Sequence, residues 1–235
     1  MSIIEAKDLC KIYRRGREDI HALRNVDFQI EKGEFVSIIG PSGSGKTALL
    51  NMLGCLDTPS SGSLRLNGRE VNGLAEKDLV KLRRESIGFV FQQFYLMPTL
   101  TARENIQLPL LFSQKRGAKR IDEVLQMVGL AGRGEHLPGQ LSGGEMQRVA
   151  IGRALINDPA IILADEPTGN LDSATSEMIF GLFSELNRQG MTLVVVTHNL
   201  DLAKRAERMY TLRDGQIVSC EERACAEGWE VSRVV

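Results

Sequence analysis

Gly40-Pro41-Ser42-Gly43-Ser44-Gly45-Lys46-Thr47 matches the pattern G-x-x-x-x-G-K-[ST] at every fixed position, and it lies where that pattern has to lie, between a strand and a helix. Residues 35–39 ahead of it form an apolar run ending at Gly40, as expected of a strand buried on both faces. Beyond it Leu49, Leu50 and Leu53 recur at helical spacing, with Gly54 as a stop. The residue types suit phosphate. Glycines let the backbone curl so that successive N–H groups face phosphate oxygens, and the helix beginning near Lys46 adds its positive end. Lys46 reaches the β- and γ-phosphates, and Thr47 offers a hydroxyl to Mg²⁺. The alternative is a flexible Gly/Ser turn; the strand–loop–helix setting favours a nucleoside triphosphate site.

Working outward, the N-terminal side has β-rich stretches at residues 3–13 and 23–30, broken at 14–19 and 31–33. Val26, Phe28 and Ile30 alternate with polar residues, the pattern of a half-buried strand. Residues 63–66 alternate and meet Asn67-Gly68, a hairpin signal, and residues 87–91 read as another strand. From 99 to 158 the period turns helical, through Ile121, Val124, Leu125 and Val128, then Met146, Val149, Ala150 and Ala154. Residues 161–164 and 192–197 are further buried strands, with a helix through Met178, Ile179, Leu182, Phe183 and Leu186 between them. Residues 209–218 fold as a hairpin about Asp214-Gly215. Buried strands alternating with helices indicate an α/β core with a mostly parallel sheet, and the helical stretch reads as an inserted subdomain.

Apolar residues at 43 % and charged residues at 25 % of 235 exclude disordered and fibrous classes. The length suits one domain carrying an insert. Lys+Arg 29 against Asp+Glu 30 leaves a net charge of −1, which provides no footprint for nucleic acid or an anionic membrane; no nucleic-acid partner is expected. No apolar run approaches the ~20 residues of a membrane span, and residues 1–6 lack the regions of a signal peptide. Cys10, Cys55, Cys220 and Cys225 match neither a disulfide framework nor a zinc spacing. The expectation is a cytosolic chain whose membrane role runs through a partner.

Two further stretches carry chemistry. Asp165-Glu166 ends an apolar strand, where an Asp beside a phosphate loop is the expected Mg²⁺ anchor and Glu166 is placed to polarise an attacking water. The alternative is a pair that caps the turn through Pro167-Thr168-Gly169, but two carboxylates ending a buried strand are costly unless paired or metal-bound. Leu141-Ser142-Gly143-Gly144-Glu145 fits a capping box, Ser142 as N-cap and Glu145 at N3. Its two glycines exceed what a cap requires. They permit close backbone approach at a helix N-terminus, where an anion is attracted.

Taken together, these motifs resemble an ABC-type ATPase over nearly the whole chain, residues 4–219. The resemblance implies a P-loop NTPase (RecA-like) core at about 1–92 and 151–219, an antiparallel β subdomain, an inserted α-helical subdomain at about 93–150, and a C-terminal tail at 220–235 outside it. It implies that Tyr13, in Lys11-x-Tyr13, stacks on adenine and that Gly40, Pro41, Ser42, Gly43, Ser44, Gly45, Lys46 and Thr47 are the Walker A loop. Gln92, in Gly88-Phe89-Val90-Phe91-Gln92-Gln93-Phe94, is similar to the Q-loop glutamine that contacts Mg²⁺ and the attacking water. Ser142, Gly143, Gly144 and Glu145 belong to the signature that closes over the γ-phosphate of a second protomer. Asp165 and Glu166 end Walker B, Asn170-Leu171-Asp172 resembles the D-loop, and His198 the switch histidine; His21 and His136 read as bystanders. The resemblance therefore implies an ATPase with ATP and Mg²⁺ as cofactors: Thr47, Gln92 and Asp165 toward the metal, Glu166, His198 and Gln92 toward hydrolysis.

Finer wording, in Gly54-Cys55-Leu56-Asp57 and in the run from Leu163 to Asp172, is similar to the MacB/LolD/FtsE group. That implies a homodimer in the ATP state on the cytoplasmic face of the inner membrane. It also implies an integral permease contacting the region near Gln92 and Pro98, and through it a periplasmic adaptor. Phe94, Tyr95, Leu96, Met97 and Pro98 are the apolar stretch where the permease would seat; the alternative is that they are core. Export, lipoprotein release and mechanotransmission fit the group, as does a non-transporting ATPase signalling to cell-wall enzymes. DNA-repair ATPases carry coiled coils or zinc modules, and two-domain translation factors carry two Walker A loops, neither present here. Two residues depart from the pattern. Ala48 replaces a Thr or Ser, one α-phosphate contact worth about 1 kcal/mol, and Asn199 replaces an Asp after His198.

Overall fold

The computed structural model describes residues 2–16, 18–113, 117–224 and 228–232. β1 (Ser2–Arg15) and β2 (Glu18–Glu31) pair antiparallel with Arg15 opposite Glu18, so the pairing runs through most of the break expected at 14–19. β3 (Phe35–Ile39) is buried throughout and leads into α1 (Lys46–Leu53), which ends where the Gly54 N–H returns to the Leu50 carbonyl. β4 (Ser61–Leu66) and β5 (Arg69–Glu70) turn about Asn67 and Gly68, both at positive φ (49° and 74°), the geometry a right-twisted hairpin favours. α2 (Glu76–Ser86) had no counterpart in the sequence reading; it buries only Leu79, Leu82 and Ser86, too short a stripe to stand out from its charges. β6 (Ile87–Phe91) follows.

The helical stretch comprises α3 (Ala102–Gln107), α4 (Leu110–Ser113), α5 (Ala118–Met127), a 3₁₀ turn at Pro138–Gln140 and α6 (Gly143–Leu155). Position 150/151 falls inside α6, an unbroken helix that packs on α3 and α5 as well as on β6 and α7. β7 (Ile161–Asp165), α7 (Ser173–Arg188), β8 (Thr192–Val196), α8 (Leu200–Ala203), β9 (Arg208–Arg213), β10 (Gln216–Ala224) and β11 (Gly228–Ser232) complete the chain. β10 and β11 thus continue the sheet through much of the expected tail; Cys225 lies outside the described residues.

One sheet has the order β2-β1-β4-β5 and is antiparallel; the other has the order β11-β10-β9-β3-β8-β7-β6, with β9, β3, β8, β7 and β6 mutually parallel. Period-2 alternation sorts the parallel strands' side chains onto two faces. Val36, Ile38, Leu163, Val194 and Val196 meet α1 and the antiparallel sheet. Phe35, Val90, Ile162, Ala164, Leu193 and Val195 meet α6, α7 and the insert's helices. Burial on both faces is why β3, β7 and β8 read as continuous apolar runs.

Candidate nucleotide site

Across the parallel strands, Ile38 pairs with Val196, Val196 with Asp165, and Asp165 with Phe91. The residues just beyond these, Gly40, Thr197 and His198, Glu166, and Gln92, therefore leave the sheet side by side at its carboxyl edge, where open α/β sheets bind ligands. β8, which leads to His198, lies between the strand of the phosphate loop and that of Asp165, which sets the histidine between the two.

Gly45 is the N-cap of α1 at φ 103°, and a Cβ there would stand 2.4 Å from the Ala22 carbonyl oxygen of β2. Only glycine lets the loop pass so close to the antiparallel sheet. Lys46 Nζ donates to the Gly40 and Pro41 carbonyls at 2.8 and 2.9 Å. The Ser44 hydroxyl is buried and without a hydrogen-bond partner among the described residues, so the loop holds an orphaned polar atom as well as a cation bonded only to neutral carbonyls. Both suit a phosphate. Pro41, Ser42, Gly43 and Thr47 face solvent, and Ala48 is buried among the α1 core residues.

Tyr13 sits on β1 opposite Ile20, two residues from the β2 carbonyl that touches Gly45. Lys11 Nζ lies 4.9 Å from its ring centroid and is held by Asp57 Oδ1 at 2.6 Å and the Thr58 carbonyl at 2.8 Å. Burial, then a hydrogen bond to Asp57, push the Tyr13 hydroxyl up to about 12. The ring is thus braced by a cation and remains partly exposed.

Asp165 is half-buried; burial first and Glu166 second raise its pKa, with Lys46 opposing. Glu166 has φ 45°, a conformation that costs a non-glycine residue energy and clusters at functional sites. Its carbonyl closes the expected turn by accepting from Gly169 N–H at 3.0 Å. Its carboxylate does not cap that turn: Oε2 accepts from the His198 backbone N–H at 3.3 Å and lies 2.9 Å from His198 Nδ1. Asn199 serves as an Asp would, capping α8 by accepting from Asp201 and Leu202 N–H at 3.1 and 3.2 Å. A cleft of ≈ 400 Å³ opens here between Glu166, Thr168, Gly169, Leu171 and His198.

Gln92 turns its carboxamide to Asn170, and Asn170 returns a bond to the Gln92 carbonyl. The segment after Gln92 has few backbone hydrogen bonds of its own; side chains hold it. Arg153 donates to the Tyr95 and Phe94 carbonyls at 2.5 and 2.8 Å, and buried Asn105 bonds Met97 N–H and the Met97 and Leu100 carbonyls. Buried Gln147 donates to the Pro167 carbonyl at 2.6 Å. Sequence reading missed these three. Their signal was available: Gln147 and Arg153 border the apolar stripe of α6, and a polar residue there needs a buried partner. Within the stretch, Leu96 packs on the core while Tyr95 and Met97 are 62 % and 49 % exposed, so the core reading holds for Leu96 and not for those two. A groove of ≈ 510 Å³ beside it is lined by Val80, Arg83, Phe89, Phe91, Phe112 and Arg153.

Ser142 caps α6 as expected: its Oγ accepts from Glu145 N–H at 3.3 Å and its own N–H donates to Glu145 Oε2 at 2.8 Å. The hydrogen bond from the Ser142 backbone lowers the Glu145 pKa. A Cβ on Gly144 would stand 2.4 Å from Thr175 Cγ2 of α7, which gives that glycine a packing reason within the chain. Among the described residues no group of three His, Cys, Asp or Glu could hold a metal. Thr47, Gln92 and Asp165 offer at this edge the oxygen donors, one of them a carboxylate, that Mg²⁺ takes together with phosphates and water.

Such a sheet edge is the architecture of a P-loop nucleotide hydrolase. The family model described as "ABC transporter" matches residues 23–169. The ATP-binding protein MJ0796 of Methanocaldococcus jannaschii is 52 % identical, over 92 % of this chain and 95 % of its own. The macrolide export ATP-binding/permease protein MacB of Bdellovibrio bacteriovorus is 48 % identical over 93 % of this chain, which spans 34 % of that longer protein. A solved dimer of MJ0796, in a post-hydrolysis state bound to ADP and Pi, superposes with a TM-score of 0.85 at 49 % identity, covering 94 % of this chain and 99 % of that one. The chain belongs to the ABC transporter family as an ATP-binding domain, and it is an ATPase.

Proposed function

We propose that two copies of this chain bind MgATP between them and that hydrolysis drives a membrane permease of the MacB/LolD type. Lys46 and the loop N–H groups would hold the β- and γ-phosphates, with Tyr13 against the adenine. Thr47, Gln92 and Asp165 would hold Mg²⁺, which when bound neutralises charge on the phosphates. Glu166 would orient the attacking water and accept its proton, and His198, already on Glu166, would support the transferring phosphoryl group. Ser142, Gly143, Gly144 and Glu145 would face the γ-phosphate of the other copy. The observation that carries this reading is the single sheet edge on which the phosphate loop, Asp165-Glu166 and His198 converge, with Glu166 and His198 2.9 Å apart.

The pairing is supported by the dimeric MJ0796 cassette, and the permease by the MacB relatives, in which an ATP-binding part and a permease share one chain. Among the described residues no helix is long and apolar enough to cross a membrane. The permease would seat on Tyr95, Met97 and the adjoining groove, and this would place the domain on the cytoplasmic face of the membrane, with any adaptor beyond it reached through the permease. Glu166→Gln is expected to accumulate a dimer in MgATP that dissociates in MgADP, measured by size-exclusion chromatography with light scattering. A dimer equally persistent in both nucleotides overturns the scheme.

A further inference from the structure

Gln92 and Asn170 are tied by two hydrogen bonds of opposite sense. Asn170 Nδ2 donates to the Gln92 backbone carbonyl at 3.0 Å, and Gln92 Nε2 donates to Asn170 Oδ1 at 3.1 Å. A carboxamide has one end that only donates and one that only accepts, and neighbours decide which end faces where. The backbone carbonyl can only accept, so the Asn170 amide nitrogen has to face it. Oδ1 is then left facing the Gln92 side chain, and only the Gln92 nitrogen can meet it. With the amide reversed, two acceptors would oppose each other at that distance. The nitrogen end also lies against Gly169, where a Cβ would stand 2.7 Å from Nε2.

The consequence falls at the other end of the group. Once Nε2 is committed to Asn170, the oxygen is the end of the Gln92 carboxamide left for a metal, and Mg²⁺ takes oxygen ligands. Asn170 itself is held by the turn after Glu166, through Gly169 N–H to the Glu166 carbonyl and Leu171 N–H to the Thr168 carbonyl, both 3.0 Å. We infer that Asn170 is a positioning residue that sets which end of the Gln92 carboxamide faces the metal. The inference rests on the reading of Gln92 as a metal-facing residue. It adds a link between the turn bearing Glu166 and the oxygen Gln92 offers, so that displacing this turn would also release Gln92.

The test is the affinity of the full chain for a fluorescent ATP analogue, mant-ATP, with EDTA and with Mg²⁺; the ratio of the two affinities is the gain due to metal. Asn170→Leu keeps most of the volume and removes both bonds. Both residues are exposed, so metal-free binding serves as the check on folding. In Asn170→Leu the gain should fall about tenfold, the lower end of what loss of a metal ligand's supporting partner costs, while EDTA binding is unchanged. Gln92→Ala should lose the same gain, and Gln92→Ala/Asn170→Leu should lose no more than Gln92→Ala alone. An undiminished gain in Asn170→Leu, or a further loss in the double variant, overturns the inference and leaves the role of Gln92 standing. An undiminished gain in Gln92→Ala overturns the metal-facing reading of Gln92, and the inference with it.

Discussion

Burial and the neighbouring Glu166 raise the Asp165 pKa against the pull of Lys46, and the sign of this shift has a consequence for stability. A carboxyl whose folded pKa lies above its unfolded value contributes stability that is complete below the unfolded value and lost as pH rises through the folded one. Without nucleotide, the ionised Asp165 is therefore a burden on the fold at neutral pH. Asp165→Asn is expected to raise the melting temperature at pH 7 by about 2 °C or more, a difference that closes below about pH 4; calorimetry across that range checks it. A variant no more stable than the parent at pH 7 would show that the charge is already compensated. Residue identity also explains Asn199. The departure from Asp keeps an oxygen that accepts from the first turn of α8, and such caps are nearly interchangeable between Asp and Asn.

Among the elements, α6 joins the most parts of the site. It is capped by Ser142, sets Gln147 on the turn after Glu166, and in its last turn places Arg153 on the backbone after Gln92. Its Gly144 has two candidate reasons for being glycine, the packing against Thr175 and the approach of a phosphate from a second copy. Gly144→Ala should cost about 1–3 kcal/mol by overpacking, read by urea denaturation. Thr175→Ser removes the obstructing methyl and keeps the hydroxyl that bonds Asp172 at 2.7 Å, so the double variant should recover that stability. If it recovers ATP hydrolysis as well, packing alone required the glycine; if hydrolysis stays low, the backbone there serves the nucleotide. The helix and its cap were legible from Ser142, Glu145 and the apolar stripe. The neighbour that forbids a Cβ was not, because Thr175 lies 31 positions away and reaches Gly144 only when α6 and α7 pack on the same sheet face.

For the whole molecule, the two sheets meet over Arg208 on β9. Its Nε lies 3.1 Å from Glu34 at the mouth of β3 and 3.1 Å from Glu222 on β10, while its Nη1 donates to the Gln29 carbonyl of β2 at 3.2 Å. Glu34 is nearly buried, and desolvation raises its pKa. Removing one partner strands the other, so Arg208→Met should destabilise by about 3 kcal/mol and lower the urea midpoint without changing the slope. Adding Glu34→Gln should return part of that loss, since the two residues are coupled; strictly additive effects would show that the pair is independent. No motif marks this junction, because Arg208, Glu34 and Gln29 are ordinary charged and polar residues until three strands bring them together.

The chain alone made legible whatever depends on neighbours in sequence. The phosphate loop is set by eight consecutive residues, the buried strands by apolar runs, the hairpins by Asn67-Gly68 and Asp214-Gly215, and the α6 cap by Ser142 and Glu145. Those local patterns were enough to define the α/β core and the family. Only the tertiary structure decided which of the separate motifs face each other. The row from Gly40 through His198 and Glu166 to Gln92 exists because β8 inserts between β3 and β7 in the sheet order. The contacts of Glu166 with His198, Gln92 with Asn170 and Gly144 with Thr175 join residues 31 to 78 positions apart. Such contacts depend on strand order and helix packing, which period and composition do not encode locally.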